Sequence, residues 1–223
     1  MDMSYLARYR HAQLLATLTL LLIVEPFLND LVLGAKLLNV LLVVTLISAI
    51  IACANRRRHV VIGVSLATGV LIAMISRDGR VVGAANVGLL LLAICFFGYV
   101  IALVLGSVFR DSRKVSVDTI CGGLSVYLLL GLLWVFAFAL LEKTVPGSFS
   151  GIEPGISSTN YERFFGFSFV TLTTLGYGNI VPLTPRADAL AVSEAIVGQI
   201  YLTVLVARLV ALNLIYGAEQ SET

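Results

Sequence analysis

The sequence predicts an all-α membrane protein with six transmembrane helices and one short re-entrant helix, with its polar loop, between the fifth and the sixth. Three observations carry that expectation. Of 223 residues, 59% are hydrophobic and only 13% charged, and the mean hydropathy is +0.99, well beyond a soluble domain. Apolar runs alternate with short clusters of Arg and Lys, and several runs approach the roughly 20 residues that a helix needs to cross a hydrocarbon core about 30 Å thick. Near the end, "TLTTLGYGNIVP", Thr171 to Pro182, breaks an apolar stretch with threonines and with two glycines around a tyrosine.

The elements follow in order. A first span is predicted from about Ala12 to Leu28, ended by Asn29-Asp30; with no small-x-small cleavage site after it, a retained helix is expected rather than a cleaved leader. A second runs from about Lys36 to Ala54 and is stopped by Arg56, Arg57, Arg58 and His59. The third covers about Val60 to Ile75, before a turn at Arg77-Asp78-Gly79-Arg80. From Val81 to Phe109, 29 residues carry no charge, which suits one long tilted helix. The fifth span runs from about Val117 to Leu141, with Asp118 in its first turn, where a carboxylate complements the helix dipole. A loop over Glu142 to Asn160 contains Pro146-Gly147 and Pro154-Gly155, both turn signals, and Ser158, Thr159 and Asn160 are candidate caps for a helix over 161–173 that is too short to span. The last span runs from about Ala187 to Ile215.

Orientation rests on where the basic residues collect. Placing the N-terminus inside puts eight there, Arg8, Arg10, Arg56, Arg57, Arg58, Arg110, Arg113 and Lys114, against six outside, Lys36, Arg77, Arg80, Lys143, Arg163 and Arg186. The inner ones are clustered and the outer ones mostly accompanied by acids, so both termini are expected to be cytoplasmic and the quoted stretch to face outward. The net charge of +2, in short clusters at segment ends, excludes a nucleic-acid surface. Cys53, Cys95 and Cys121 lie in or beside apolar stretches without ligand spacing and are expected to be buried, inert thiols. His11 and His59 flank membrane ends and read as interfacial, and no His, Cys, Asp and Glu constellation suggests an enzyme.

Non-helical backbone at membrane depth is tolerated only where protein or a water-filled path surrounds it. Alternating glycines let consecutive carbonyl oxygens aim the same way, a ladder of oxygen ligands able to replace the hydration shell of a cation. A simple glycine turn explains the glycines but neither the threonine run nor the aromatic helix before it. "TLGYGN", preceded by "SFVTLTT" and followed by a proline, closely resembles the potassium-channel signature. The order of a basic N-terminus, four apolar spans, "VDTICGGLSVYLLLGLLWVF", the loop and "EAIVGQIYLTVLVARLV" is similar to that of prokaryotic six-span potassium channel family proteins without a large cytoplasmic domain.

That resemblance implies a first domain, residues 1–114, that is a four-helix transmembrane bundle, and a pore domain, residues 115–223. The pore domain would comprise an outer helix over about 117–141, a pore helix over about 161–173, a filter over 174–178 and an inner helix over about 187–215. Thr174, Leu175, Gly176, Tyr177 and Gly178 would coordinate K+ through backbone carbonyls, with the Thr174 hydroxyl at the inner mouth. Thr173, Asn179 and Glu194 would support the filter. Leu175 stands where valine is usual, and Asn179 where the family has the aspartate that tethers the filter's outer end. One loop cannot surround an ion, so a homotetramer in membrane lipid is implied, with no cofactor beyond the permeant ion.

Gly198 resembles the hinge glycine of the inner helix, with helix packing through a small residue as the alternative. Gln199, Leu202, Val206 and Val210, at i, i+3, i+7 and i+11, read either as a cavity lining that turns apolar toward a dewetting constriction or as ordinary packing. Glu194, expensive in a span, sits either behind the filter or reaching the outer interface. Arg208 is expected to snorkel to headgroups. The fourth span lacks the Arg or Lys array of a voltage sensor, so voltage-insensitive conduction is expected. Only eight residues follow Ile215, which leaves no expected regulatory domain. The rival readings are a weakly selective monovalent cation channel and a non-conducting accessory channel subunit.

Overall fold

The computed structural model describes residues 9–28, 43–45, 47–50, 57–75, 84–110, 116–152 and 158–221. The named helices are α1 (Arg10–Leu28), α2 (Arg57–Ile75), α3 (Ala84–Arg110), α4 (Val117–Thr144), α5 (Ser158–Leu172) and α6 (Pro185–Ser221). Residues 43–45 and 47–50 are helical as well, inside the predicted second span, whose remainder lies outside the described residues. No strand occurs among the described residues; one isolated bridge joins Phe149 to Pro182. Among the described residues, three helical stretches are long and apolar enough to cross a membrane: Val87–Phe109, Val117–Thr144 and Pro185–Leu212.

Local chemistry sets several boundaries. Ser116 caps α4, its Oγ accepting from the Thr119 N–H at 3.1 Å, and Asp118 adds the first-turn carboxylate. Thr184 does the same for α6, its Oγ1 accepting from the Ala187 N–H at 3.3 Å, with Pro185 at the first helical position where no N–H is needed. α4 runs three residues past the expected Leu141 and stops at the Pro146-Gly147 turn, where Gly147 adopts a φ of +82°. Two starts differ from expectation. Arg57, Arg58 and His59 form the first turn of α2 rather than the stop of the preceding span, and Ser158, Thr159 and Asn160 lie inside α5 rather than ahead of it. Charged and polar residues tolerate a helix's first turn, so polarity alone misplaced both boundaries.

The chain forms two compact units. The first comprises Met1–Val64, Tyr99–Leu128 and Leu202–Thr223. Its buried side chains include Leu14, Leu18 and Leu21 of α1, Val104 and Val108 of α3, Val126 of α4 and Leu205 of α6. Two adjacent glycines of α4 permit this packing: a Cβ on Gly122 would lie 2.7 Å from Val108, and one on Gly123 would lie 2.7 Å from Leu205. Small residues let helices without a water-driven hydrophobic force approach closely enough for dispersion to hold them.

Within this unit the Asp118 carboxylate also serves a second helix. Its Oδ1 accepts from the His11 and Ala12 N–H groups at 3.0 and 3.2 Å, satisfying orphan donors of the first turn of α1. His11 is buried, with Nε2 at 3.1 Å from the Ser107 Oγ and 4.0 Å from Asp118 Oδ2. Burial pushes its imidazole below the ordinary value, and the Asp118 carboxylate only partly offsets that. His59 places Nδ1 2.8 Å from the Tyr99 hydroxyl, so it too is engaged. The Arg208 guanidinium lies over the Phe109 ring, 4.2 Å from its centroid, a cation–π contact. Neither histidine's partner is near it in sequence, so neither contact was legible there.

The second unit comprises Ser65–Gly98 and Leu129–Tyr201. Its centre is aromatic: Phe138 of α4 meets Phe167 of α5 at 4.9 Å and Phe149 of the α4–α5 loop at 5.5 Å, ring centre to ring centre. Phe149 in turn meets Phe164 at 5.3 Å, edge to face. Such pairs add about 0.5–1.5 kcal/mol each beyond the area they bury. Leu90, Ala187, Ala191 and Ile180 complete the cluster, so the segment after residue 178 is anchored in the core through Ile180. Of the cysteines, Cys95 is exposed and Cys121 half-buried, which corrects the expectation of buried thiols; Cys95 falls on an outward face of α3, and Cys53 lies outside the described residues.

Candidate functional site

The aromatic helix α5 ends at Leu172, and the chain peels away under backbone control. The Thr173 N–H donates to the Phe169 carbonyl, Thr174 N–H to Thr171, and Leu175 N–H to Val170 at 2.8 Å. Thr173 turns its hydroxyl back to the Phe169 carbonyl at 2.6 Å, so it belongs to the helix end rather than to the extended segment. From there the sign of φ alternates. Thr174, Gly176 and Gly178 have φ values of +59°, +62° and +74°, while Leu175 and Tyr177 stay on the negative side. In a β-strand the peptide plane flips at every residue and carbonyls point alternately; alternating the sign of φ cancels that flip and lets consecutive carbonyls project from one edge.

Two of the three left-handed positions are glycines, as the alternation requires. The third was not foreseen. Thr174 is the sole non-glycine residue with positive φ among those described, and a β-branched residue there is strained, a feature that persists where surrounding structure over-determines it and that concentrates at functional sites. Open space surrounds the missing Cβ of Gly176 and Gly178, so the demand for glycine is purely conformational. Every residue from Thr173 to Asn179 is exposed, including Leu175 at 57% and Tyr177 at 72%.

The end of this segment away from α5 is held by the α4–α5 loop. The Ser150 N–H donates to the Val181 carbonyl at 2.9 Å, the Val181 N–H to the Ser150 Oγ at 3.1 Å, and the Leu183 N–H to the Ser148 carbonyl at 2.8 Å. Gly151, with φ +70°, comes so close that a Cβ on it would lie 2.9 Å from the Asn179 carbonyl oxygen. The Arg163 guanidinium donates to the Gly151 carbonyl. The loop is itself organised by Glu142, whose two carboxylate oxygens accept from the Gly147 and Ser148 N–H groups at 2.7 and 2.9 Å. Sequence reading missed Glu142, Ser148 and Ser150, because a glutamate closing an apolar run looks like an interfacial charge. The one available signal was its position a few residues before Pro146-Gly147, where a tight turn leaves N–H groups free to be captured.

Glu194 is fully buried on α6, and the Ser168 Oγ of α5 lies 2.5 Å from its Oε1. Glu194 thus contacts the short aromatic helix. Gly198, one turn further, is packed rather than free: a Cβ there would lie 2.8 Å from the Leu172 side chain and 2.9 Å from its carbonyl oxygen. α6 continues unbroken through it. Along the rest of α6, Gln199, Val206 and Val210 are exposed and Leu202 is half-buried. Among the described residues no cluster of His, Cys, Asp and Glu is arranged to hold a metal ion.

Residues 124–213 match the ion-channel family model. The matched region takes in most of α4, all of α5, the extended segment and α6 to Asn213, so the alternating backbone lies inside it. The match supports an ion channel, and together with the apolar helices it indicates a multi-pass membrane protein. No curated protein and no solved structure matches the chain.

Proposed function

We propose that the chain is one subunit of a homotetrameric, potassium-selective channel of the cell membrane, with six spans, both termini cytoplasmic, α5 as the re-entrant pore helix and α6 as the inner helix. The carbonyls of Thr174, Leu175, Gly176, Tyr177 and Gly178, with the Thr174 hydroxyl, are the K+ ligands. The observation that carries this reading is the alternation of φ over 174–178 in a segment that is exposed along its whole length in one chain. A single row of carbonyls cannot replace a hydration shell; four rows around an axis can. Exposed Leu175 and Tyr177, and the low burial of α6, at 11% of its most apolar stretch, fit surfaces that other copies cover.

Conduction then needs no proton or cofactor chemistry. A hydrated cation waits beneath the filter, where the C-terminal end of α5 contributes negative potential and Gln199 a polar group. It enters by exchanging water for carbonyl oxygens. Leu202, Val206 and Val210 narrow the inner path, and bending at Gly198 widens it. α3 carries no Arg or Lys before Arg110, so the channel does not respond to voltage through that helix.

The hold exerted by Ser148, Ser150 and Gly151 on the outer end favours strict over weak selectivity, because it supplies a tether where Asn179 replaces a carboxylate. The test is flux into liposomes containing only this chain, potassium against sodium. Wild type is expected to pass potassium and exclude sodium, and Gly176→Ala to lose that selectivity. Equal sodium flux in wild type would establish the weakly selective reading. No flux would establish the accessory-subunit reading, and unchanged selectivity in Gly176→Ala would overturn the filter.

A further inference from the structure

Three helices of the second unit meet at one polar point that ion passage does not use. The Ser168 Oγ of α5 lies 2.8 Å from the Gly131 carbonyl oxygen of α4 and 2.5 Å from Oε1 of Glu194 on α6. Ser168 and Glu194 are both fully buried. Gly131 makes the approach possible, since a Cβ there would lie 2.7 Å from the Phe169 ring.

We propose that Glu194 is a positioning residue that carries its proton, donating to Ser168, which donates to Gly131, and that this chain of hydrogen bonds fixes the start of the filter against α6. The inference rests on the filter reading above.

Hydrogen counting supports the direction. Both contacts of Ser168 are of hydrogen-bond length, and a hydroxyl has one hydrogen. Were Glu194 ionised, that hydrogen could serve only one of two acceptors, and the other contact would set lone pair against lone pair. With the proton on Glu194, each contact has its own hydrogen, and no uncompensated charge is buried. The other oxygen, Oε2, has no hydrogen-bond partner, which a neutral carboxyl tolerates far better than a carboxylate.

The pairing continues one turn on. Glu194 and Gly198 are four residues apart on α6, as are Ser168 and Leu172 on α5, so a polar rung is followed by a close-packed one at the Gly198 Cα. Leu172 is the last residue of α5, two before Thr174, and the Val170 carbonyl beside it receives the Leu175 N–H. A shift of α6 at these rungs therefore moves the backbone from which the filter begins.

The experiment compares wild type with Glu194→Gln, which keeps volume and a donor, Glu194→Leu, which keeps volume alone, and Ser168→Ala. Readouts are the potassium-to-sodium flux ratio in liposomes and the infrared difference spectrum of each variant against wild type. Glu194→Gln is expected to keep the flux ratio within about twofold, while Glu194→Leu and Ser168→Ala lose about tenfold or more. The wild-type spectrum is expected to contain a protonated-carboxyl band that is absent in Glu194→Gln. A carboxylate band at that position, or a Leu variant as selective as the Gln variant, would overturn the proposal. Absence of potassium flux in wild type would instead defeat the filter reading, and the infrared band would still report the state of Glu194.

Discussion

Glu142 and Glu194 lie in the same compact unit, 5% and 0% exposed, and the structure uses them in opposite ways. Glu142 closes α4 beside a turn, where the backbone has N–H groups to spare, and each of its oxygens takes one. Glu194 sits in mid-helix, where every backbone N–H is already committed, and only a hydroxyl is offered. The difference teaches that the site of a carboxyl along its helix decides its role. At the end it organises a loop that holds the part of the extended segment far from α5. In the middle it links helices beside the part next to α5.

The comparison is broken most directly by deleting the first carboxyl. Glu142→Ala leaves the Gly147 and Ser148 N–H groups without acceptors, one of them on a fully buried residue, and should cost about 2–4 kcal/mol, read as a lowered thermal midpoint in detergent. An unchanged midpoint would show that the loop does not depend on Glu142. Gly198→Ala tests the close-packed rung beside Glu194. With Leu172 side chain and carbonyl both within 3 Å of the new methyl, about 1–3 kcal/mol of overpacking is expected by the same measurement, although alanine is the better helix former.

Asp118 sharpens the point about burial. Like Glu142 it serves two N–H groups, but its side chain is 20% exposed, so water can replace it in part, and Asp118→Ala should cost about 0.5–2 kcal/mol in chemical unfolding. The smallest effect expected is a pH dependence at its neighbour. Burial lowers the folded-state value of His11 below its ordinary 6.5, so the unfolded chain binds this proton more readily. Stability is then full above pH 6.5 and declines as pH falls below it, toward the lower folded value. His11→Gln should flatten that slope, and an identical slope in the variant would remove His11 as its source.

The sequence by itself determined the apolar segments, the start of α4 with Asp118 in its first turn, and the place of the unusual backbone at "TLGYG". These are local properties: hydropathy, capping and glycine's freedom act within a few residues, so they are written consecutively in the chain. It also marked Glu194 and Gly198 as candidates while leaving the alternatives for each open. Only the tertiary structure decided that Ser168 faces Glu194, that Leu172 occupies the space a Gly198 side chain would need, that Ser150 pairs with Val181 across 31 positions, and that His11 is buried against Asp118 across 107. It also decided that Thr174 takes the strained left-handed backbone that the glycines alone were expected to supply. Such facts depend on which helix faces which, and a pattern of apolar residues in a membrane, where every face is apolar, does not encode that choice.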